Sequence, residues 1–389
     1  MDLRQTLAFF FAATFLQSGS YGLTFMLPPL FNELGAVEKD VGNVLACTAA
    51  STILTVIFLG HITDRLGRVI TVVTSSAFIS ASLFIFAMTD AMGPLMFGAG
   101  ILLGIGWGAF YVLTPIILTE ITEKDQRIRI FTLLSVFIMA GFGLSPVAGA
   151  MLEKAGYGTG SIFQIFGILC VISGALFLLI KPTIATLSSG SGSMATKLTG
   201  ADVLKVLTSR AIRTIVMVGL GASVFAAVTN FQTVYAAERG LDYSIYFLTY
   251  TITVIVCRVA FAEFLGGKAP FGVMACLLGI MTLSILVLLY PGTNVALYIL
   301  GAILFGVGYG VSYPIVKAMA ANDAEPHLMS ATLQVFGLSY FVGVFGFPFV
   351  AGWIISTLGI AILLVTASVL AFIEFGLALH RYRSDKQTS

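Results

Sequence analysis

Twelve long apolar segments dominate this 389-residue chain and constrain its fold more than any other feature. A stretch of about 20 apolar residues is long enough for an α-helix to cross a bilayer. Hydrophobic residues make up 58% of the chain and charged residues 10%, whereas soluble domains carry about 25% charged residues. The sequence therefore predicts an all-α membrane protein with twelve transmembrane helices. These predicted spans 1 to 12 lie near residues 6–30, 41–60, 70–88, 94–118, 130–152, 161–180, 211–236, 244–265, 271–290, 294–318, 328–354 and 360–379.

A hydrophilic stretch divides the spans into six and six. It includes a run of serines and glycines over 188–193, a composition typical of flexible linkers. We expect an N-terminal six-helix bundle over 1–180, a cytoplasmic linker over 181–210, and a C-terminal six-helix bundle with a short cytoplasmic tail over 211–389.

The two halves share a sequence pattern. A shift of 202 residues places the glycine-rich run 104–108 on 306–310, so that Trp107 meets Tyr309, and it places Tyr111 on Tyr313. Self-similarity at a fixed offset indicates an internal repeat. Glycines spaced four apart let transmembrane helices pack closely, so we interpret these runs as packing surfaces of spans 4 and 10.

A charged turn separates spans 2 and 3. It runs from Gly60 to Arg68 with the sequence GHITDRLGR, and this spacing resembles the signature between helices 2 and 3 of the major facilitator superfamily of membrane transporters. The resemblance implies that Asp64, Arg65, Gly67 and Arg68 form a latch that keeps the cytoplasmic side closed while the substrate site faces outward. The alternative is a turn that only fixes topology.

The resemblance also implies two pseudo-symmetric six-helix bundles with a substrate site between them near the bilayer midplane. In this superfamily the site is lined mainly by helices 1, 4, 7 and 10. Polar side chains on membrane helices are expensive unless they face inward, although each could simply bond a neighbouring helix. The predicted substrate-binding residues are Gln17, Tyr21, Trp107, Tyr111, Asn230, Gln232, Arg258, Tyr309, Tyr313 and Lys317.

Two of these candidates are cations that favour an anionic solute. Arg258 lies well inside span 8 and is similar to the helix 8 arginine of monocarboxylate and oxalate transporters within the superfamily. An arginine can bind a carboxylate through two parallel hydrogen bonds. Alternatively, Arg258 pairs with Glu263, and Lys317 reaches to the lipid headgroups.

The basic residues predict the topology. If both termini are cytoplasmic, 17 of the 20 Lys and Arg residues lie on or near that side and only Lys39, Lys154 and Arg239 lie outside, as the positive-inside rule requires. We therefore expect a multi-pass protein of the cytoplasmic (inner) membrane. The four cysteines fall within predicted spans without metal or disulfide spacing.

These features predict secondary active or facilitated transport of a small organic solute, with an anion as the favoured class, by alternating access. The expected partners are that solute, membrane lipid, and a coupling proton or counter-anion, with no nucleic acid and a monomeric state. We find no phosphate-binding loop, no catalytic group and no cofactor site, so we do not expect an enzyme.

Two alternatives stay open at this stage. One is a proton-coupled multidrug or metabolite exporter, and the other is a membrane receptor or assembly factor that keeps the fold without transport. Many proton-coupled members carry an arginine where this chain has Gly100, so the sequence leaves the coupling ion and the direction of transport open.

Overall fold

The computed structural model describes residues 2–123, 126–187, 198–261, 270–290 and 292–388, and every regular element within them is helical. The predicted all-α class is confirmed. The α-helices are α1 Leu3–Gly22, α2 Leu27–Glu33, α3 Glu38–Leu66, α4 Arg68–Met88, α5 Pro94–Ile121, α6 Arg127–Lys154, α7 Thr159–Leu187, α8 Gly200–Thr208, α9 Ile212–Asn230, α10 Gln232–Glu238, α11 Tyr243–Phe261, α12 Pro270–Leu289, α13 Val295–Asp323, α14 Met329–Phe341, α15 Phe347–Leu358 and α16 Ile360–Thr388.

Eleven helical stretches in the described parts of the chain are long and apolar enough to cross a membrane. They correspond to predicted spans 2 to 12, and span 11 is continuous from Met329 to Leu358 because a π-helical turn over Val342–Gly346 joins α14 to α15. Span 1 corresponds to α1, a 3₁₀ turn over Leu23–Met26, and α2. Its C-terminal half is more polar than the other spans, and those polar residues are buried within the protein.

The chain forms two compact units. Unit 1 comprises residues 1–36 and 47–197, and unit 2 comprises residues 37–46 and 198–389. Helix α3 thus begins in unit 2, where the backbone N–H of Lys39 donates to Ser356 Oγ at 3.0 Å and the Lys39 Nζ lies 3.6 Å from the Trp353 ring centre. The linker and domain limits drawn from the sequence stay predictions, and residues 188–197 of that linker lie outside the described residues.

Helix packing repeats between the units at the predicted offset. A Cβ atom on Gly106 of α5 would lie 2.6 Å from Ile79 Cγ1, and one on Gly308 of α13 would lie 2.5 Å from the backbone nitrogen of Met281. Both members of the second pair lie 202 residues after those of the first. Glycine is needed at both positions because the backbones approach too closely for any side chain.

Hydrogen bonds between helices repeat in the same way. In unit 1, the Ser82 hydroxyl of α4 donates to the Ala99 carbonyl of α5 at 2.7 Å. In unit 2, the Ser284 hydroxyl of α12 donates to the Gly301 carbonyl of α13 at 2.8 Å. The second pair again lies 202 residues after the first, so the repeat seen in the sequence is a repeat of helix contacts.

Candidate functional site

An aromatic cluster joins α1 to α5 in unit 1. The rings of Tyr21 and Trp107 stack with their centres 4.1 Å apart, and Phe142 of α6 contacts both, at 5.7 and 5.0 Å. Tyr111 lies one turn along α5, with its ring centre 5.7 Å from that of Trp107. Three of the predicted site residues are therefore neighbours, and Phe142 joins them from a helix that the sequence argument did not include.

Unit 2 carries a matching cluster between α9 and α13. Tyr309, the counterpart of Trp107, stacks on Phe225 with ring centres 4.7 Å apart and on Phe305 at 5.6 Å. Further along α13, the Tyr313 ring centre lies 4.9 Å from that of Tyr340 in α14. The phenylalanines were not predicted as site residues because an apolar residue in an apolar span gives no separate signal.

Gln17 is the centre of a polar network inside unit 1. Its Nε2 donates to Ser75 Oγ at 2.8 Å, and its Oε1 accepts from Ser76 at 2.8 Å and from Ser173 at 3.3 Å. Gln17 is fully buried. The network links α1 to α4 and α7, so the amide contributes to packing within the unit, and a role toward substrate stays a prediction.

Asn230 and Gln232 flank the break between α9 and α10. The Asn230 amide donates to the Ala226 carbonyl at 3.1 Å, and the Gln232 amide donates to the Tyr298 hydroxyl of α13 at 2.7 Å. Both side chains are buried in unit 2. The sequence argument missed Tyr298, although a tyrosine within an apolar span signals a side chain that has a polar partner.

Arg258 points toward the glycine-rich face of α13. Its Nε donates to the Gly310 carbonyl at 3.0 Å, which fixes the plane of the guanidinium group. Two turns earlier on α11, Tyr250 is buried and its hydroxyl has no hydrogen-bond partner among the described residues. The alternative partner Glu263 lies outside the described residues.

Lys317 lies two turns beyond Tyr309 on α13 and is exposed. Unit 2 thus presents two cations on adjacent helices, α11 and α13, together with tyrosines of both. Guanidinium and hydroxyl groups are donors that a carboxylate accepts, and the rings supply an apolar surface beside them. This part of unit 2 can therefore bind an organic anion that carries an apolar group.

The charged turn joins α3 to α4. Asp64 and Arg65 are exposed in the last turn of α3, and Gly67 adopts φ +77°, a conformation that favours glycine. Arg68 forms an ion pair with Glu120 near the end of α5, and both side chains are mostly buried. Glu120 was not predicted, although it lies at the end of span 4 on the same predicted membrane side as the turn.

The fold and these faces define a polytopic transporter-type protein built from two repeats. The family model for the Major Facilitator Superfamily matches residues 9–348, so the chain belongs to this superfamily. That membership and the fold indicate transport rather than catalysis.

Curated relatives of this chain include two bacterial resistance proteins. The chain is 25% identical over 211 residues to the quinolone resistance protein NorA of Staphylococcus aureus (strain MRSA252), which is 54% of this chain and 53% of that protein. It is 23% identical over 237 residues to the multidrug resistance protein MdtL of Shewanella sp. (strain ANA-3), which is 60% of this chain and 58% of that protein. The chain thus matches little more than half the length of these relatives.

Solved structures share the whole fold. The nucleoside transporter NupG superposes with a TM-score of 0.78 at 15% identity, covering 96% of this chain and 99% of that one. The human organic anion transporter MFSD10 (TETRAN) superposes with a TM-score of 0.68 at 16% identity, covering 97% of this chain and 100% of that one. At these identities the likeness concerns the fold.

Proposed function

We propose that this protein is a secondary transporter that moves a small organic anion across the cytoplasmic membrane by alternating access. The observation that carries the proposal is Arg258, a guanidinium group oriented by the Gly310 carbonyl within a membrane helix. A charge inside a span is expensive and marks a functional site by default. The stacked rings of Tyr309 and Phe225 would then accept the apolar part of the solute.

Replacement of Arg258 tests the anion site directly. In proteoliposomes loaded with radiolabelled p-aminohippurate, an aromatic carboxylate, Arg258→Ala should lower the apparent affinity about tenfold to hundredfold, because one or two charge-assisted hydrogen bonds are lost. Arg258→Lys should have an intermediate effect, since the charge remains and the two-pronged geometry does not.

Arg210→Ala is the matched control, because it removes an arginine that is exposed between α8 and α9. Its transport rate should equal that of the original protein. The anion site is refuted if Arg258→Ala transports p-aminohippurate as well as this control does, with equal amounts of folded protein in the liposomes.

A second candidate function is export of amphipathic compounds. Two observations favour it: the paired aromatic clusters around Trp107 and Tyr309, and the likeness to NorA and MdtL, whose names describe quinolone and multidrug resistance. Transport of ethidium, an amphipathic cation, by liposomes that do not transport p-aminohippurate would favour this function over the first.

We further propose that both termini are cytoplasmic, which the bias of Lys and Arg residues supports. In variants with one cysteine on a background without the four native cysteines, a membrane-impermeant maleimide added to whole cells should label Tyr157→Cys strongly and Lys205→Cys only after permeabilisation. Both positions are exposed in the folded protein. Strong labelling of Lys205→Cys in intact cells would reverse the orientation.

A further inference from the structure

Glu374 is an acid buried within unit 2. It is 2% exposed and is the only charged residue type among the fully buried residues of the described chain. It lies on the inward face of α16, in a row of otherwise apolar buried residues: Leu363, Ala367, Ala371 and Ala378. An acid in such a row weakens packing, so its presence calls for a role beyond packing.

The carboxyl group faces backbone rather than a polar side chain. Its Oε2 has no hydrogen-bond partner among the described residues. The neighbour on α9 is Gly221, where a Cβ atom would lie 2.9 Å from both carboxylate oxygens. The glycine therefore makes the space that the carboxyl occupies and supplies no side chain to neutralise it.

Unit 1 shows what a purely structural polar group looks like at this place. Ser173 occupies the same position on the buried face of α7 and donates to the Ala13 carbonyl at 2.7 Å and to Gln17 at 3.3 Å. Gln17 is bonded in turn by Ser75 and Ser76.

The corresponding partners are absent in unit 2. The residues 202 positions after Ser75 and Ser76 are Leu277 and Leu278, and both are buried in α12. The polar network of one repeat is thus replaced in the other by an acid among apolar side chains.

Charged groups around Glu374 lie toward the helix ends. The helices packed on α16 are α9, α12 and α15. Their described parts contain two titratable or charged residues, Arg213 and Cys276, both exposed, and α16 itself has four more within its described side chains, His380, Arg381, Tyr382 and Arg383. Arg381 is two turns away and pairs with Asp323 of α13.

We propose that Glu374 is the group that binds and releases the proton coupled to transport, an inference that rests on the proposed transport function. The step is the addition of one proton to one carboxylate oxygen, giving a neutral acid. Hard metal cations prefer six or more oxygen ligands, and the apolar side chains around Glu374 do not supply them.

Coupling follows from the packing. The neutral acid can stay against Gly221, whereas the carboxylate needs water and therefore favours a conformer in which the contact between α9 and α16 is open. Loading and release of the proton would thereby shift the equilibrium between conformers that differ at this contact.

Infrared difference spectroscopy of the protein in lipid bilayers tests proton binding without any substrate. The carbonyl band of a protonated carboxylic acid should be present at low pH, should disappear as pH rises, and should be missing from Glu374→Gln at every pH. An unchanged titrating band in Glu374→Gln, or no band that both titrates with pH and depends on Glu374, overturns the proposal.

Transport in proteoliposomes tests the coupling, with p-aminohippurate and ethidium as separate probes. For whichever probe moves, a proton gradient of one pH unit should drive about tenfold accumulation per coupled proton in the original protein. Glu374→Gln should lose this accumulation but keep exchange of labelled for unlabelled probe within about twofold, since exchange needs no net proton movement. Glu374→Asp, which keeps a carboxyl group, should retain part of the accumulation.

Two glycine variants separate the carboxyl site from general damage to α16. Gly221→Ala would push against the carboxyl oxygens and should also impair accumulation, whereas Gly376→Ala, which meets open space on α16 itself, should not. Accumulation by Glu374→Gln equal to that of the original protein, or accumulation driven by a sodium gradient instead, would refute proton coupling at this residue. Loss of exchange in all variants and in the original protein alike would refute the proposed transport function, while the infrared titration would still decide the proton site.

Discussion

Gly308→Ala should destabilise the folded protein by about 1–3 kcal/mol, at the upper end of the range for overpacked cores. The new methyl group would lie 2.5 Å from the Met281 backbone nitrogen and 2.7 Å from its Cα atom. Backbone cannot rotate away as the end of a side chain can, so α12 and α13 would have to separate. The expected result is a lower thermal unfolding midpoint in detergent and less monodisperse protein in size-exclusion chromatography.

Gly337→Ala is the matched control for this prediction. Gly337 lies in α14 of the same unit, and a methyl group there meets nothing within 4 Å. The same glycine-to-alanine change in open space should leave the unfolding midpoint unchanged or slightly raised, because alanine favours helix. If Gly308→Ala unfolds at the same temperature as Gly337→Ala, the close approach of α12 to α13 is not needed for stability.

The charged turn should separate into a stabilising pair and a conformational group. Arg68→Ala should lower stability by about 1–3 kcal/mol, between the values for exposed and buried ion pairs, because it leaves the Glu120 carboxylate without its cation. The two side chains are 23% and 14% exposed. Asp64→Asn should leave stability nearly intact, because Asp64 is exposed. It should instead slow net transport, if the charge favours the conformer with the cytoplasmic side closed.

The size of the transport effect follows from population arithmetic. A charge-assisted contact made in one conformer only contributes about 1–3 kcal/mol, which shifts conformer populations about tenfold to hundredfold. The Arg68–Glu120 pair is measured by a double-mutant cycle of Arg68→Ala and Glu120→Ala using unfolding midpoints. Asp64→Asn is measured by net transport against exchange, and full net transport with unchanged reactivity of cytoplasmic cysteines would reduce the turn to a topology signal.

Much of the fold was predictable because lipid leaves the backbone few choices. Apolar stretches of this length must form helices so that every peptide group is bonded internally. The 202-residue offset also identified the contact glycines, since small residues four apart matter only where two helices touch. Gly106 and Gly308 accordingly occupy equivalent contacts in the two units.

The candidate site was predictable only in part. Tyr21 and Trp107 were placed on separate spans by their polarity, and they stack on one another. The direction of a side chain within a bundle depends on which helix lies beside it, and helical spacing does not give that. Gln17 illustrates the difference, because the same amide could face a cavity or the serines of α4, and it bonds the serines.

The sequence by itself determined the helical class, the repeat and the charged turn, because each depends on length, hydrophobicity or spacing along one chain. Only the tertiary structure decided which polar groups acquire partners. Arg68 meets Glu120, Arg258 meets the Gly310 carbonyl, and Glu374 meets a glycine. The physical reason is that a buried polar group is satisfied or left unsatisfied by the helix packed against it, and that helix is distant in the sequence.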